Sequence, residues 1–202
     1  MTFSKLVSQI IDSEIGMIEE KSCPDQYVGE IFRFSSNQID FPVRISAERS
    51  IKRPNSLIMV IESPHVNEFA NDPGPAKGHT GNQIRKWITK VNGLSQYSNH
   101  GLIIVNAVQY QCSLGQPTKC FRDDIFNAVW NSGGEDDFMT RLKAVYRKSD
   151  IVVNCCTKGS RTVVELRKLV QQAIAKINFD SVVLKRTHPA SWYAEKNRKH
   201  EW

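Results

Sequence analysis

What this chain lacks narrows its function before any motif is read. Its longest central apolar run, LIMVI at 57–61, is far too short to cross a bilayer. The N-terminal stretch MTFSKLVSQIIDSE has no apolar core of the kind a secretory signal needs. Cysteine is sparse: five residues, an odd number, with no C-x-x-C pair. An odd count without a secretory signal points to a reducing, cytoplasmic setting and away from a disulfide framework. Missing C-x-x-C spacing weakens any claim to zinc or an iron–sulfur cluster, although Cys112 and Cys120 could still be ligands; no metal or other cofactor is expected. Several signature loops are absent as well. GPAKGHTG has glycines but is not G-x-x-x-x-G-K-[ST], and G-x-G-x-x-G does not occur, so a P-loop and a Rossmann dinucleotide site have no support. There is no H-x-E with P-C-x-x-C and no G-x-S-x-G elbow. Internal repeats and low-complexity tracts are missing too.

What is present fits one globular unit. The chain has 202 residues, of which 40% are hydrophobic and 24% charged, enough apolar material for a core. Lys plus Arg number 27 against 21 acids, a net +6 that favours polyanionic partners, nucleic acid above all. Residues 3–20 carry Leu6, Ile10, Ile11, Ile15 and Ile18 at helical spacing. Residues 27–48 are β-branched and aromatic with turn signals between, predicting two or three short strands. This first quarter, 1–55, is set apart as an N-terminal helix and short-strand extension.

From Ser56 the pattern changes, and 56–202 read as the main domain. Four short apolar runs follow: LIMVI (57–61), LIIVN (102–106), IVVNC (151–155) and SVVLK (181–185). Runs apolar on both faces suit a parallel sheet covered by helices. Helical stripes lie between them at Ile84–Val91, Ile125–Trp130, Phe138–Tyr146 and Val163–Ile177, the last opened by a Thr162/Glu165 capping box. Strands alternating with helices predict an α/β fold: a three-layer α/β/α sandwich around a four-stranded parallel sheet. In such sheets ligands bind at the carboxyl ends of the strands. ESPH follows the first strand, Asn106 ends the second, CTKGSR follows the third and RTHPASWY the fourth. Glu62, Asn106 and His188 therefore converge on one edge. Asn106 is conspicuous there, because burying its amide without partners costs roughly 1–3 kcal/mol.

IESPH, PAKGHTG, IIVNAV and THPAS, in this order, resemble the uracil-DNA glycosylase superfamily over about Ser56 to Tyr193. The first motif is nearer to Gly-Glu-Ala-Pro-Gly of the iron–sulfur branch than to Gly-Gln-Asp-Pro-Tyr-His of the best-known branch. The iron–sulfur branch carries a second acid six residues on, where Glu68 stands. The resemblance implies a DNA partner, a base flipped from the duplex, and hydrolysis of its N-glycosidic bond to leave an abasic site. It assigns His188 as donor to the departing base and Glu62 as the carboxylate that orients water, with Glu68 or Asp72 as alternatives. It assigns Asn106 to the Watson–Crick edge of the base. No lysine stands where a Schiff base would form, so a monofunctional enzyme is expected.

The chain departs from the family in ways that shape the expected base pocket, formed by Ser63, His65, Ala76 and Tyr110. Ser63 replaces the usual acid or Asn. Ala76 stands where the iron–sulfur branch has a stacking Phe, and His65 where the best-known branch has a Tyr that crowds the pyrimidine C5 position. These changes imply a roomier pocket, suited to a bulky C5-substituted pyrimidine such as glucosylated hydroxymethylcytosine of phage DNA, and hence a role in phage defence. If Trp192 or Tyr110 refills the gap, uracil in base-excision repair remains the substrate. A module that binds modified DNA without cutting it is the third possibility, kept open by Ser63. The iron–sulfur branch has an N-terminal C-x-x-C; only Cys23 stands here, so no cluster is expected. Trp192 and Tyr193, after the histidine, are candidates for the wedge that replaces the flipped base. Lys185, Arg186, Lys196, Arg198 and Lys199 are expected to meet phosphates. Thr80 and Gly81, Ser160 and Arg161 ahead of the last long helix, and Ser191 complete the predicted DNA contacts.

Overall fold

A computed structural model of the chain describes residues 2–11, 20–114, 120–160 and 164–202. Its centre is one six-stranded sheet in the order β2-β1-β4-β3-β5-β6. The strands are β1 (Gln26–Glu30), β2 (Ile45–Ser46), β3 (Ser56–Ile61), β4 (Gly101–Asn106), β5 (Ile151–Asn154) and β6 (Val183–Lys185). The four apolar runs of the sequence are the four parallel strands, β3 to β6. Every residue of β3 and β4 is buried, because both strands lie inside the sheet with helices on either side.

The sheet has six strands where four were expected. The two additional strands come from residues 1–55. β1 runs antiparallel to β4 and β2 antiparallel to β1. The segment set apart in the sequence as an extension thus shares the sheet with the rest of the chain. Its apolar residues also enter the core: Phe3, Val7 and Tyr27 on one side, Val28, Ile31 and Phe41 on the other.

Alternation along the strands sorts the two faces. Ile58, Val60, Ile103 and Val105 join the core covered by α3 (Arg122–Val129), α4 (Glu135–Val145) and α5 (Leu166–Ile177). Leu57, Met59, Ile61, Leu102 and Ile104 face the second layer, where α2 (His79–Trp87) supplies Ile84 and the C-terminal region supplies Trp192. The order helix–sheet–helix is the predicted three-layer sandwich. α1 (Phe3–Ser8) is capped by the Thr2 side chain; the remainder of the helix expected over 3–20 falls partly on 12–19, outside the described residues. α5 begins at Leu166 with Glu165 as its N-cap residue, later than the expected capping box, whose Thr162 lies outside the described residues. It ends at Asn178, whose φ of 57° makes it a left-handed cap. A short α6 (Glu195–Lys199) closes the chain.

Candidate active site

The carboxyl edge of the parallel strands gathers the polar residues that the strands deliver. Glu62 follows β3 directly and is buried. His188 follows β6 as the N-cap of a short 3-10 turn, Pro189–Ser191. That turn fixes the imidazole: the Ala190 amide donates to Nδ1 at 3.2 Å. An Nδ1 held as acceptor leaves Nε2 as the protonated nitrogen of the neutral ring. Nε2 faces Glu62 Oε2 at 3.4 Å, longer than a firm hydrogen bond, so its proton is available to a third group. The Thr157 amide, after β5, donates to the same Glu62 oxygen at 3.3 Å. Ser191 Oγ donates to the His188 carbonyl at 2.7 Å, bracing the turn from inside.

A cavity of about 150 Å³ opens in front of this pair. Its wall consists of Ile61 to His65, Glu68, Thr80, Ser113 and His188. Glu68 is buried, and its Oε2 has no partner. Burial pushes its carboxyl up to about 8, the amides of Ala76 and His65 and the Arg44 charge pull the other way, and Glu62 adds a smaller upward push. Glu68, on the cavity wall beside Glu62, is thereby suited to keep a proton near neutrality. Cys112 lies behind Ser63, within hydrogen-bond reach, and burial raises its thiol to about 12, so it is a packing group rather than a nucleophile.

Asn106 sits beside Ile61 in the parallel register and continues the Leu102, Ile104 face. Its side chain is fully buried, and both its amide nitrogen and its oxygen lack any partner. It stands one strand over from the cavity, next to the Ile61 wall. The backbone here is held firmly. Arg141, from α4, donates to the Asn106 carbonyl at 3.2 and 3.3 Å and to the Ala107 carbonyl at 3.3 Å, and pairs with Asp25 at 2.7 Å and Asp137 at 2.7 Å.

Glu62, Glu68, Ser63, His65 and His188 are thus brought together as the sequence suggested, and Thr80, expected as a phosphate contact, stands in the cavity wall instead. Other expected contacts are not. Ala76 is fully buried in the core beside α2, at φ 56°, and does not face the cavity. Tyr110 stacks on Phe3 at 4.7 Å and lines a separate cavity under α1. Asp72 is exposed and outside the wall, which removes it as an alternative to Glu62. Trp192 is a core residue with no exposed surface, its indole donating to the Thr187 carbonyl at 3.0 Å, whereas Tyr193 is 67% exposed. Arg186 is buried and spent on Asn92, Lys185 and Glu201, and is not free for phosphate. Lys185 is half-buried against Trp202, and Arg198 lies over the Trp87 ring at 4.1 Å. Lys196 is exposed, while Lys199 pairs with Glu195. The Ser160 amide is taken by the Asp123 carboxylate, where a phosphate was expected. Arg161 lies outside the described residues. Gly81 is needed for packing: a Cβ there would lie 1.8 Å from the Ala76 carbonyl oxygen.

Thr157, Ser113 and the Asp25–Arg141 pair escaped the sequence reading. Thr157 had a signal, its place just past the third parallel strand. Asp25 and Arg141 had none, since each lies far along the chain from Asn106. Comparison with protein-family models, with curated proteins and with solved structures finds no match to this chain.

Proposed function

We propose that the protein is a monofunctional DNA glycosylase, which takes one base out of the stack and hydrolyses its N-glycosidic bond. The observation that carries this is Asn106: a fully buried amide with both its donor and acceptor free, on the same sheet edge as an acid–imidazole pair. An orphaned buried amide is a standing cost unless a ligand satisfies it, and a base edge presents the matching donor and acceptor. Reading that edge requires the cavity to extend past Ile61 towards Asn106 as the base enters. Glu62 orients the attacking water and takes up its proton. The bond between the sugar carbon and the base nitrogen breaks with its electron pair passing to the base. The Nε2 proton of His188 meets the charge developing there. Among the described residues no lysine lines the cavity, which fits hydrolysis without a Schiff base. Tyr193, exposed just after the His188 turn, fills the space that the flipped base leaves.

Ala76 is a buried core residue outside the cavity lining, so it gives the bulky modified pyrimidine no support. Uracil is accordingly the first substrate to try.

The test is incubation with oligonucleotides that differ in one base: uracil, cytosine, hydroxymethylcytosine or its glucosylated form. Abasic sites are then read by alkaline cleavage. The expected result is cleavage at one base type, reduced roughly 100- to 10,000-fold by Glu62→Gln with DNA binding kept. Binding without cleavage of any base, unchanged by Glu62→Gln, would make the protein a reader of DNA instead.

A further inference from the structure

A cavity of about 700 Å³ lies far from the acid–imidazole pair. It is a groove along β1 and β2, lined by Tyr27, Gly29, Pro42, Val43, Ile45 and Ile51. Arg53 and Pro54 at its end lie just before β3, and Glu30 pairs with Gly101, where β4 begins. The groove therefore sits towards the amino ends of the parallel strands, while Glu62, Asn106 and His188 sit at the carboxyl ends. DNA held at one edge would leave the other free.

Three features of the groove point to its occupant. Apolar side chains that a core would normally claim are exposed along it: Val43 at 38%, Ile45 at 44% and Ile51 at 77%. The charges on its rim are almost all positive. Arg49 and Lys52 are exposed with no acidic partner among the described residues, and Arg33 is exposed beside Glu30, the one acid in the lining. β2 is also the last strand of the sheet among the described residues, which place no strand beside its outer edge. An apolar trough with a cationic rim and an open strand edge matches an extended chain carrying both apolar and acidic residues.

We infer that this groove docks an extended segment of a partner protein in which acidic residues alternate with large aliphatic ones. The apolar side chains fill the trough over Val43, Ile45 and Ile51, and the carboxylates meet Arg33, Arg49 and Lys52. The inference is independent of the glycosylase reading, since none of these residues belongs to the candidate active site.

Fluorescence anisotropy on the full chain tests it with three labelled peptides. One alternates Leu and Ile with Glu, one replaces Glu by Lys, and one replaces the aliphatic residues by Ser. The first is expected to bind and the other two to fail. The double substitution Arg49→Glu with Lys52→Glu, and separately Ile51→Ser, should each weaken the first peptide about tenfold or more. All three positions are exposed, so the fold is retained, which circular dichroism verifies. Failure of every peptide, equal binding of the Lys peptide, or indifference to both variants overturns the inference. So does displacement of the peptide by duplex DNA, which would mark a phosphate site. Concentration-dependent dimerisation abolished by the same variants would assign the groove to a second copy of this chain and overturn it likewise.

Discussion

Asn106 carries a cost that its own fold does not relieve. The amide is sealed from water, and among the described residues nothing bonds to it. Replacing it by Leu, of similar size and without polar atoms, is expected to raise the stability of the ligand-free protein by about 1–3 kcal/mol while abolishing base excision. Urea denaturation read beside the cleavage assay checks both halves; a destabilised Leu variant would show that the amide has a partner after all. Glu68 makes a related prediction through pH. Its carboxyl is raised from 4.5 to about 8, so the folded state keeps a proton that the unfolded chain has lost across that window. Stability from this group is complete below the unfolded value and falls as pH rises, by at most about 1.4 kcal/mol per pH unit, levelling above the folded value. Glu68→Gln should remove that decline, so the melting temperatures of variant and parent diverge as pH rises from 5 towards 8 in favour of the variant. Parallel curves would mean that Glu68 is ionised throughout.

At the scale of elements, β3 is held at both ends by different means. Its carboxyl end is tied to β4 and the following loop, where the Ala107 amide donates to the Ile61 carbonyl at 2.7 Å and the Val108 amide to that of Glu62 at 2.9 Å. Its amino end rests on a buried ion pair. Arg53 grips Asp150 in a two-point contact at 2.8 and 2.6 Å, and Asp150 also accepts the amides of Ser56 and Arg147 at 2.8 and 2.9 Å. Both side chains are shielded from solvent. Asp150→Ala would strand the Arg53 guanidinium and two backbone donors, so a loss of about 3–5 kcal/mol is expected in urea unfolding. A loss below about 1 kcal/mol would mean that water reaches Arg53 once the acid is gone.

At the scale of the molecule, residues 1–55 are structural. β1 covers the edge of β4, and Phe3, Val7, Tyr27, Val28, Ile31 and Phe41 complete the two cores. The Asp25 that pairs with Arg141 behind Asn106 also belongs to this segment. Deleting 1–55 should therefore yield an aggregating chain with an open β4 edge, not a smaller active enzyme. Size-exclusion chromatography after expression checks this; a soluble, monomeric 56–202 fragment would restore the extension to an independent appendage.

The sequence by itself determined the parallel strands, the helices between them and the edge on which Glu62, Asn106 and His188 meet. Those follow from local patterns: apolar runs make buried strands, alternation makes the layers, and the ends of parallel strands point one way. It did not show that β1 and β2 join the same sheet, because pairing between distant strands leaves no local mark. Nor did it show that Ala76, Tyr110, Trp192 and Arg186 turn away from the cavity. A motif fixes a residue's place along the chain, but only packing decides which way its side chain faces. The positive φ at Ala76 and the burial of Trp192 are tertiary outcomes of that kind. So is the Arg141 contact to the Asn106 carbonyl, which joins residues 35 apart in sequence and holds the strand end from behind.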